Sequence, residues 1–426
     1  MSHADLVVRG AAPATGLSEP ADLFVAKGRI LALASAGSRP VPEGARTVEA
    51  DGMLLFPGLS DVHVHLREPG QEWKETIATG LAAAIKGGFV NVMCMANTDP
   101  VNDQASVTAT MLEKALRSHP RGPRLYPVGA LTVGLAGKAL APMEELKAAG
   151  CKAFSNDGRP VADSELFRRA LEYASDLGLT VIDHCEDPFL APGAGINEGV
   201  VSARLGLRGA PVAGEAIQVA RDCLLARYLG VPIHLAHISC QMSVEIIRQA
   251  KAQGAPVTAE TCPHYLVLTE DACEGYDTNA KVNPPLRTRQ DQLALLAALE
   301  DGTIDVLATD HAPHASHEKE TPFAEAPNGI SGLETALSVT WELTARGELS
   351  AQALVNAWCV RPAEIFGLPL NRFQEGDPAD FILFDPSARW TVTPQALASK
   401  GKNTPFLGRE LSGLVRAAYV AGNNAL

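Results

Sequence analysis

Short runs of apolar, β-branched residues alternate along most of the chain with longer stretches rich in alanine and leucine. The apolar runs predict eight strands, at residues 59–65, 89–95, 124–131, 151–155, 179–184, 232–238, 257–261 and 304–309. The stretches between them predict helices, among them residues 75–86, 106–118, 163–177, 216–229, 243–253 and 289–299. Regular alternation of strand and helix indicates parallel strands joined by crossover helices. Eight such units in about 300 residues predict a closed (β/α)₈ TIM-like barrel.

The alternative for this pattern is an open, doubly wound sheet, but the glycine-rich phosphate turn that such a sheet carries after its first strand is missing from the sequence. The two ends of the chain differ from the middle. They contain short predicted strands at 6–9, 23–26, 29–34, 381–384 and 415–420, separated by turns rich in Gly, Pro and Ala. We therefore predict an α/β protein with a barrel at residues 56–365 and a small β-sandwich domain built from residues 1–55 and 366–426.

Composition narrows the class of protein. Apolar residues make up 46% of the 426 residues and the formal net charge is −13, which suits a large core and argues against a nucleic-acid partner. No run of 18 apolar residues and no secretory signal is present, so we expect no membrane partner and a cytoplasmic location. The eight cysteines are scattered without a Cys-x-x-Cys pair, so neither a disulfide framework nor a thiolate zinc site is expected.

Histidine and aspartate recur at the ends of the predicted strands. His63 and His65 are two residues apart on the first strand, so their side chains point to the same face. Taken alone, a surface pair explains them as well as a metal site does. The same residue types follow at the ends of later strands, as Asp157, His184, His237 and Asp310. Barrel enzymes have their active sites at this carboxyl end, and imidazole and carboxylate bind zinc and similar metals. We therefore predict a metal site there.

Two motifs at these positions resemble those of dihydroorotases, in the cyclic amidohydrolase branch of the amidohydrolase superfamily. They are DVHVHLREPG at residues 61–70 and ATDHAPH at residues 308–314. Further similar segments are MANT at 95–98, NPPLR at 283–287, ADF at 379–381 and KNTPF at 402–406. The resemblance covers essentially the whole chain, and it is strongest to the longer bacterial class, which has a split β domain and a metal-binding aspartate after the fourth strand.

The resemblance implies a reversible cyclisation of N-carbamoyl-L-aspartate to L-dihydroorotate plus water, in de novo pyrimidine biosynthesis. It implies one or two Zn²⁺ ions, for which Co or Mn can substitute. By position it assigns one metal to His63 and His65 beside Asp310, the second to His184 and His237, and the bridge to Asp157. A bound metal lowers the pKa of water from 15.7 to about 7. The resemblance implies that a hydroxide formed in this way would attack the amide carbon, with Asp310 as the general acid/base.

The substrate-binding residues belong to the same resemblance. Arg67 lies two residues past His65 on the same face, and a guanidinium binds a carboxylate through two parallel bonds. The family pattern implies that Asn97 and His314 share this carboxylate and that Asn283 contacts the pyrimidine ring. The alternative for Asn97 is a turn residue, because a turn-rich segment surrounds it.

Two positions depart from the family pattern. Asn328 stands where relatives have phenylalanine in a Pro-Phe-Gly segment, so an amide replaces one apolar contact near the substrate. Many relatives bridge their metals with a carboxylated lysine, and Lys152 lies on the fourth predicted strand, although we favour Asp157 as the bridge. We expect residues 311–330 to form a mobile loop over the site, with His311 as a loop residue. His264 is expected at the rim of the site.

Other functions stay open at this point. An allantoinase or a dihydropyrimidinase-type hydantoinase would share the barrel and the metals, but its substrate lacks the carboxylate that Arg67 would bind. An inactive dihydroorotase-like partner of aspartate transcarbamoylase would have lost metal ligands, whereas all six positions are filled here. Besides the small-molecule substrate, a homodimer and a complex with aspartate transcarbamoylase stay open as partners.

Overall fold

The computed structural model describes residues 4–15 and 19–426; residues 1–3 and 16–18 of the predicted β domain lie outside the described residues. The strands are β1 (Leu6–Pro13), β2 (Ala21–Ala26), β3 (Arg29–Ser35), β4 (Arg46–Glu49), β5 (Leu54–Pro57), β6 (Leu59–Val64), β7 (Phe89–Cys94), β8 (Arg124–Ala130), β9 (Ala153–Ser155), β10 (Thr180–His184), β11 (Ile196–Asn197), β12 (Gly209–Ala210), β13 (Ile233–Ala236), β14 (Val257–Thr261), β15 (Val306–Leu307), β16 (Phe381–Thr391), β17 (Glu410–Val420) and β18 (Asn423–Asn424). The α-helices are α1 (Ile77–Lys86), α2 (Ala105–Ser118), α3 (Met143–Ala149), α4 (Ser164–Asp176), α5 (Val200–Leu205), α6 (Val212–Leu229), α7 (Gln241–Ala252), α8 (Pro263–Val267), α9 (Arg289–Glu300), α10 (Ser316–Lys319), α11 (Ala336–Ala345), α12 (Ala351–Val355) and α13 (Arg361–Phe366).

Eight parallel strands form the barrel. Their order around it is β6, β7, β8, β9, β10, β13, β14 and β15, which is also their order along the chain. Each predicted strand is present, although the eighth shrinks to two residues, because the chain leaves the sheet early to form the loop over the site. The predicted (β/α)₈ barrel is therefore confirmed. Across the two described segments, none of the helices combines the length and the hydropathy needed to cross a bilayer.

The barrel closes between its first and last strands through side chains and the loop after β15. The amide of His65 donates to the carbonyl of His311 at 2.8 Å, next to a single parallel bridge between Val64 and His311. Below this bridge, the carboxylate of Asp61 accepts the amide of Thr309 at 3.1 Å and its hydroxyl at 2.5 Å. His311, expected as a loop residue, is instead buried at the seam, because its backbone completes the barrel.

Burial on both faces explains why the barrel strands are mostly apolar. Seven of the eight strands contribute to one interior cluster, through Val62, Met93, Val128, Ala153, Ile182, Ala236 with Val306 and Ala308. Phe366 of α13 and Leu368 join the same cluster. On the outside, α4 is typical of the covering helices: Asp163 caps its first turn, and Phe167 and Leu171 lie one turn apart on its buried face. The barrel is thus a packed core, with room only at its ends.

The two chain ends form a second sheet of eight strands. Its order is β18, β17, β16, β5, β1, β2 and β3, and β4 also pairs with β1. One core joins Val8 and Val25 from the N-terminal part with Phe381 and Tyr419 from the C-terminal part, whose rings stack at 4.4 Å. The prediction that both termini build one β domain is therefore confirmed, whereas its boundaries at residues 55/56 and 365/366 stay a prediction.

Candidate active site

A cavity of about 220 Å³ opens at the carboxyl ends of the barrel strands. Nine of the ten predicted site residues line it: His65, Arg67, Asn97, Asp157, His184, His237, Asn283, Asp310 and His314. The tenth, His63, lies beneath the cavity wall with no exposed surface. Closure of the barrel therefore gathers residues that are up to about 250 positions apart in the sequence, because most of them lie at or just after the carboxyl ends of barrel strands.

Two groups of candidate metal ligands share Asp157. In the first group, Nε2 of His63 and Nε2 of His65 lie 3.3 and 3.5 Å from the carboxylate oxygens of Asp157. In the second group, Nδ1 of His184 and Nε2 of His237 lie 3.4 and 3.5 Å from its Oδ1. Within each group the candidate ligand atoms lie within 4.8 Å of one another. The Asp157 carboxylate is thus placed between two sites that could each hold an ion.

The chemistry of this cluster fits a divalent metal. Nε2 of His63 and Oδ1 of Asp157 are buried and have no hydrogen-bond partner, a state that costs about 1–3 kcal/mol per group when nothing else compensates. Burial raises the pKa of Asp157, but the charge of His63 and the nearby rings of His184 and His237 outweigh it and hold the pKa well below its usual range. An ionised carboxylate that faces several imidazole nitrogens is a donor set suited to zinc and similar ions.

Acceptors behind the first two histidines set their tautomers. Nδ1 of His63 donates to Oε1 of Glu260 at 2.6 Å, and Nδ1 of His65 donates to Oδ1 of Asn97 at 2.8 Å. Because carboxylate and amide oxygens only accept, each Nδ1 carries a proton, and Nε2 is the ring nitrogen that faces Asp157 and is left for a metal. Asn97, predicted as a substrate ligand or a turn residue, therefore also orients a candidate metal ligand.

Glu260 on β14 is a site residue that sequence reasoning missed. It has no exposed surface, and besides His63 it accepts from Nε2 of His234 at 3.1 Å and from the amide of His237 at 3.3 Å. Burial raises its pKa, but the charge of His63 and the bond from His234 hold the pKa well below its usual range. The only signal in the sequence was a glutamate near the end of a buried strand, which costs free energy to bury unless it is paired.

Glu186 is the second residue that was missed. It lies two positions after His184, and its Oε2 accepts from Nε2 of that ring at 2.8 Å, which leaves Nδ1 of His184 facing Asp157. The same oxygen accepts Nδ2 of Asn283 at 2.8 Å. Burial raises the pKa of Glu186, but bonds from His184 and Asn283 lower it to about 2. The i, i+2 spacing that indicated His63 and His65 was present here too.

Asp310 lies beside the first group of ligands. Its Oδ1 is 3.1 Å from Nε2 of His65 and 3.7 Å from Nε2 of His63. Burial raises its pKa, while the hydrogen bond from His65 and the charges of the histidines lower the pKa below its usual value. The backbone is left-handed at Asp310 (φ 46°), Arg67 (φ 60°) and His237 (φ 37°). Such conformations cost about 1–3 kcal/mol each and accumulate at functional sites.

Arg67 supplies a buried positive charge to the cavity. Its Nε donates to the carbonyl of Pro313 at 3.2 Å, and its Nη2 lies 3.5 Å from Nε2 of His314. It is 9% exposed, and among residues 4–15 and 19–426 no carboxylate lies within ion-pair distance of it. Burial, and then the charge of Arg67, lower the pKa of His314 to about 2, so this ring is neutral. A guanidinium in this setting favours an anionic ligand.

Two further predictions concern residues near the cluster. His264, expected at the rim, is buried beneath the site, and burial lowers its pKa to about 4. Nζ of Lys152 lies 6.0 Å from the ring centroid of Tyr126, near the start of β8. Asp157 comes five residues later, past the far end of β9, about 16 Å away along an extended strand. The position of Lys152 favours Asp157 over a carboxylated lysine between the two ligand groups.

Comparison with known proteins gives the family. Residues 52–243 match a family model described as dihydro-orotase-like. Dihydroorotases from Geobacter metallireducens and Geotalea daltonii are 48% and 49% identical over 410 residues, which is 96% of this chain and 96% of each relative. The chain belongs to the dihydroorotase family. The resemblance seen in the sequence motifs is thereby confirmed over nearly the full length of the chain.

Solved structures show how far the dihydroorotase-family fold is shared. L-Hydantoinase (dihydropyrimidinase) from Arthrobacter aurescens aligns with a TM-score of 0.86 at 25% identity, over 99% of this chain and 96% of that one. D-Hydantoinase from Thermus sp. aligns with a TM-score of 0.82 at 24% identity, which shows the fold alone. Barrel and β domain are therefore common to both groups, so a distinction between their activities rests on residues in the cavity.

Proposed function

We propose that this member of the dihydroorotase family interconverts N-carbamoyl-L-aspartate and L-dihydroorotate plus water, a step of de novo pyrimidine biosynthesis. One observation carries the choice of substrate. Arg67, a buried guanidinium that has no carboxylate partner among the described residues, lines the same cavity as the His/Asp cluster. A cyclic amide that carries a carboxylate fits both features. Sequence identity of 48% and 49% to two dihydroorotases, over 96% of the chain, supports the proposal.

We propose the metal ligands by position. They are His63, His65, Asp157, His184, His237 and Asp310, and they would hold one or two zinc ions. A divalent metal at this place lowers the pKa of water and polarises the carbonyl oxygen of an amide. The convergence of the ligand atoms and the position of Lys152 support Asp157 between the ions. The same ligands accept cobalt or manganese.

Asp310 is proposed as the proton carrier. In the direction of hydrolysis it takes the proton of the attacking water and delivers it to the ring nitrogen as the carbon–nitrogen bond breaks. In ring closure it takes the proton from the ureido nitrogen and returns it to the departing oxygen. Its buried position 3.1 Å from His65 and its lowered pKa support an ionised carboxylate that is ready to accept the first proton.

The remaining proposed contacts concern the substrate. Arg67 binds its carboxylate, Nδ2 of Asn97 is left free for the same group because Oδ1 faces His65, and Asn283 lies at the ring position beside Glu186. His314 donates its Nε2 proton to the carbonyl of Asn328 at 2.9 Å. Its share in binding the carboxylate stays a prediction, because that proton must be released from the loop before it reaches a substrate.

The test is a comparison of substrates with the zinc-loaded protein. Spectrophotometric turnover is measured with L-dihydroorotate, with hydantoin and with allantoin, alongside the metal content of the same preparation. Turnover of dihydroorotate far above the other two is expected. Preferential turnover of hydantoin or allantoin would overturn the choice of substrate. Absence of both metal and turnover after zinc addition would favour the inactive partner of aspartate transcarbamoylase.

We also propose where the enzyme works and with which partners. A cytoplasmic location agrees with the absence of a membrane-crossing helix from the described residues and with the metabolic role of the relatives. A homodimer and a complex with aspartate transcarbamoylase stay predictions. Size-exclusion chromatography with light scattering, with and without aspartate transcarbamoylase, decides both.

A further inference from the structure

Four consecutive carbonyl groups at the edge of the cavity are each bound by a different side chain. These residues, 326–329, are here called the strap, and two of them, Asn328 and Gly329, line the cavity. In order, the carbonyls of Ala326, Pro327, Asn328 and Gly329 accept from Nζ of Lys281 (2.7 Å), Nζ of Lys319 (2.7 Å), Nε2 of His314 (2.9 Å) and Nδ2 of Asn403 (2.9 Å). Side chains from three separate segments therefore hold the strap in one position.

The ammonium of Lys319 has an unusual set of partners. Its other bonds go to the carbonyls of Thr278 at 2.9 Å and of Lys281 at 3.4 Å, and Lys319 is 6% exposed. In the part of the chain that the structure describes, no carboxylate lies within ion-pair distance of its Nζ. Burial of a cation that has only carbonyl partners lowers the stability of the folded protein. Binding of an anionic ligand nearby would explain why a lysine occupies this position.

The charged groups around Lys319 connect it with the substrate pocket. Asp277 and Glu318 favour its protonated form, and Lys281 and Arg67 disfavour it. Burial, with these two cations, lowers the pKa of Lys319 to about 7. Arg67 is the residue proposed for the substrate carboxylate, so an anion bound there attracts the ammonium of Lys319 as well.

We propose that Lys319 is a positioning residue, which holds the strap as a wall of the substrate pocket and adds its charge to that of Arg67 when an anionic substrate binds. The identity of that substrate rests on the proposed function, whereas the hold on the strap does not. Three carbonyls need three N–H donors, which only the protonated amine provides. When Lys319 loses its proton, two N–H donors remain for three carbonyls, so the hold on the strap carbonyl of Pro327 weakens, and the pocket loses one positive charge.

The proposal predicts a pH dependence with a definite sign. In the free protein Lys319 is protonated below about pH 7 and neutral above it, so kcat/KM for dihydroorotate falls as the pH rises through about 7. Lys319→Arg keeps the charge at every pH and is expected to remove this fall. Lys319→Met is expected to raise KM about tenfold with little change in kcat. It should also raise deuterium uptake in a peptide that covers residues 323–333, measured by hydrogen exchange and mass spectrometry.

Lys74→Met is the matched control. Lys74 also carries a charge near Arg67, but it pairs with Glu318 at 3.3 Å and binds no carbonyl of the strap. We expect unchanged uptake in the 323–333 peptide and a KM within about threefold of the wild type. Lys319→Arg is expected to restore the uptake that Lys319→Met increases. If Lys319→Met does not fold, the wild-type uptake of this peptide across pH 6 to 9, corrected for intrinsic exchange, gives the same answer.

Two results separate the failure of this proposal from the failure of the proposed function. Unchanged uptake and unchanged KM in Lys319→Met, or a wild-type uptake that does not rise above pH 7, would overturn the role of Lys319. A wild-type protein that neither binds nor turns over dihydroorotate would overturn the proposed substrate. Increased uptake in Lys319→Met would then still support the hold on the strap.

Discussion

Replacement of Glu260 by glutamine tests how the metal ligands are oriented. The carboxylate of Glu260 accepts Nδ1 of His63 at 2.6 Å, Nε2 of His234 at 3.1 Å and the amide of His237 at 3.3 Å. Glutamine has nearly the same shape but carries one acceptor and one donor group. In Glu260→Gln an N–H₂ group must therefore face an imidazole N–H or a backbone amide, and one of the two rings must turn or change its tautomer.

The magnitude follows from the loss of negative charge at the group that accepts Nδ1 of His63. A hydrogen bond to a charged group contributes about 1.5–3 kcal/mol, and loss of such a partner behind a ligating histidine typically weakens metal binding by about 10–100-fold. That range equals about 1.4–2.8 kcal/mol, so the two estimates agree. We expect Glu260→Gln to bind zinc about 10–100-fold more weakly and to lose turnover at limiting zinc.

Competition with a chromogenic chelator measures this affinity, and circular dichroism verifies the fold. Thr258→Val is the matched control, because Oγ1 of Thr258 bonds Nδ1 of His234 at 2.8 Å on the side away from Glu260. It perturbs the same network without touching His63, and its zinc affinity should stay within about threefold of the wild type. A folded Glu260→Gln protein with wild-type affinity would refute the idea that Glu260 sets the tautomer of His63.

Further predictions concern the proton carrier, the substrate carboxylate and one glycine. Asp310→Asn should keep its fold and lose about 10²–10⁴-fold in turnover in both directions; near-normal turnover would remove Asp310 from the mechanism. Arg67→Ala should raise KM for dihydroorotate sharply, with a smaller fall in kcat, as steady-state kinetics will show; an unchanged KM would contradict a carboxylate contact. Gly70→Ala should lower the free energy of unfolding by more than about 1 kcal/mol, because at φ 94° its Cβ would lie 1.8 Å from the carbonyl oxygen of Asp99. Gly137→Ala is the control, because Gly137 also has a positive φ but has open space around it, so alanine there causes backbone strain without a clash. Both variants are measured by urea denaturation, and equal losses in the free energy of unfolding would contradict the clash at Gly70.

Much of the fold could be read from local patterns. The alternation of apolar strands and helices predicted eight barrel strands, and the structure contains them all. The pair His63 and His65 could be assigned to one face because side chains alternate along a strand. Asp157 and Asp310 could be placed near that pair because the carboxyl ends of parallel strands meet at one face of a barrel. Both rules use only the position of a residue within one strand and the repetition of the strand–helix unit along the chain.

Contacts between residues on different strands and loops could not be predicted from these local patterns. Glu260 bonds His63, which lies 197 positions away in the sequence. Lys319 bonds a backbone carbonyl of the strap, and no sequence pattern indicates which carbonyl a side chain will bind. His311 was expected in a loop, but its backbone closes the barrel next to His65. The pairing of His311 with the first strand arises because β15 is only two residues long and the chain after it meets β6 when the barrel closes.

The amino-acid sequence by itself determined the barrel, the β domain shared by both termini and the His/Asp positions at the strand ends, because periodicity and strand ends are local properties. Asn97, Asn283 and His314 were candidates only through the resemblance of their segments to a known family. Only the tertiary structure decided which ring nitrogen of each histidine faces Asp157, why Lys152 is remote from it, and that Lys319 holds the wall of the cavity. The physical reason is that a histidine tautomer, a buried charge and a bound carbonyl each depend on partner residues from other strands and loops. Those partner residues come together only when the barrel has closed.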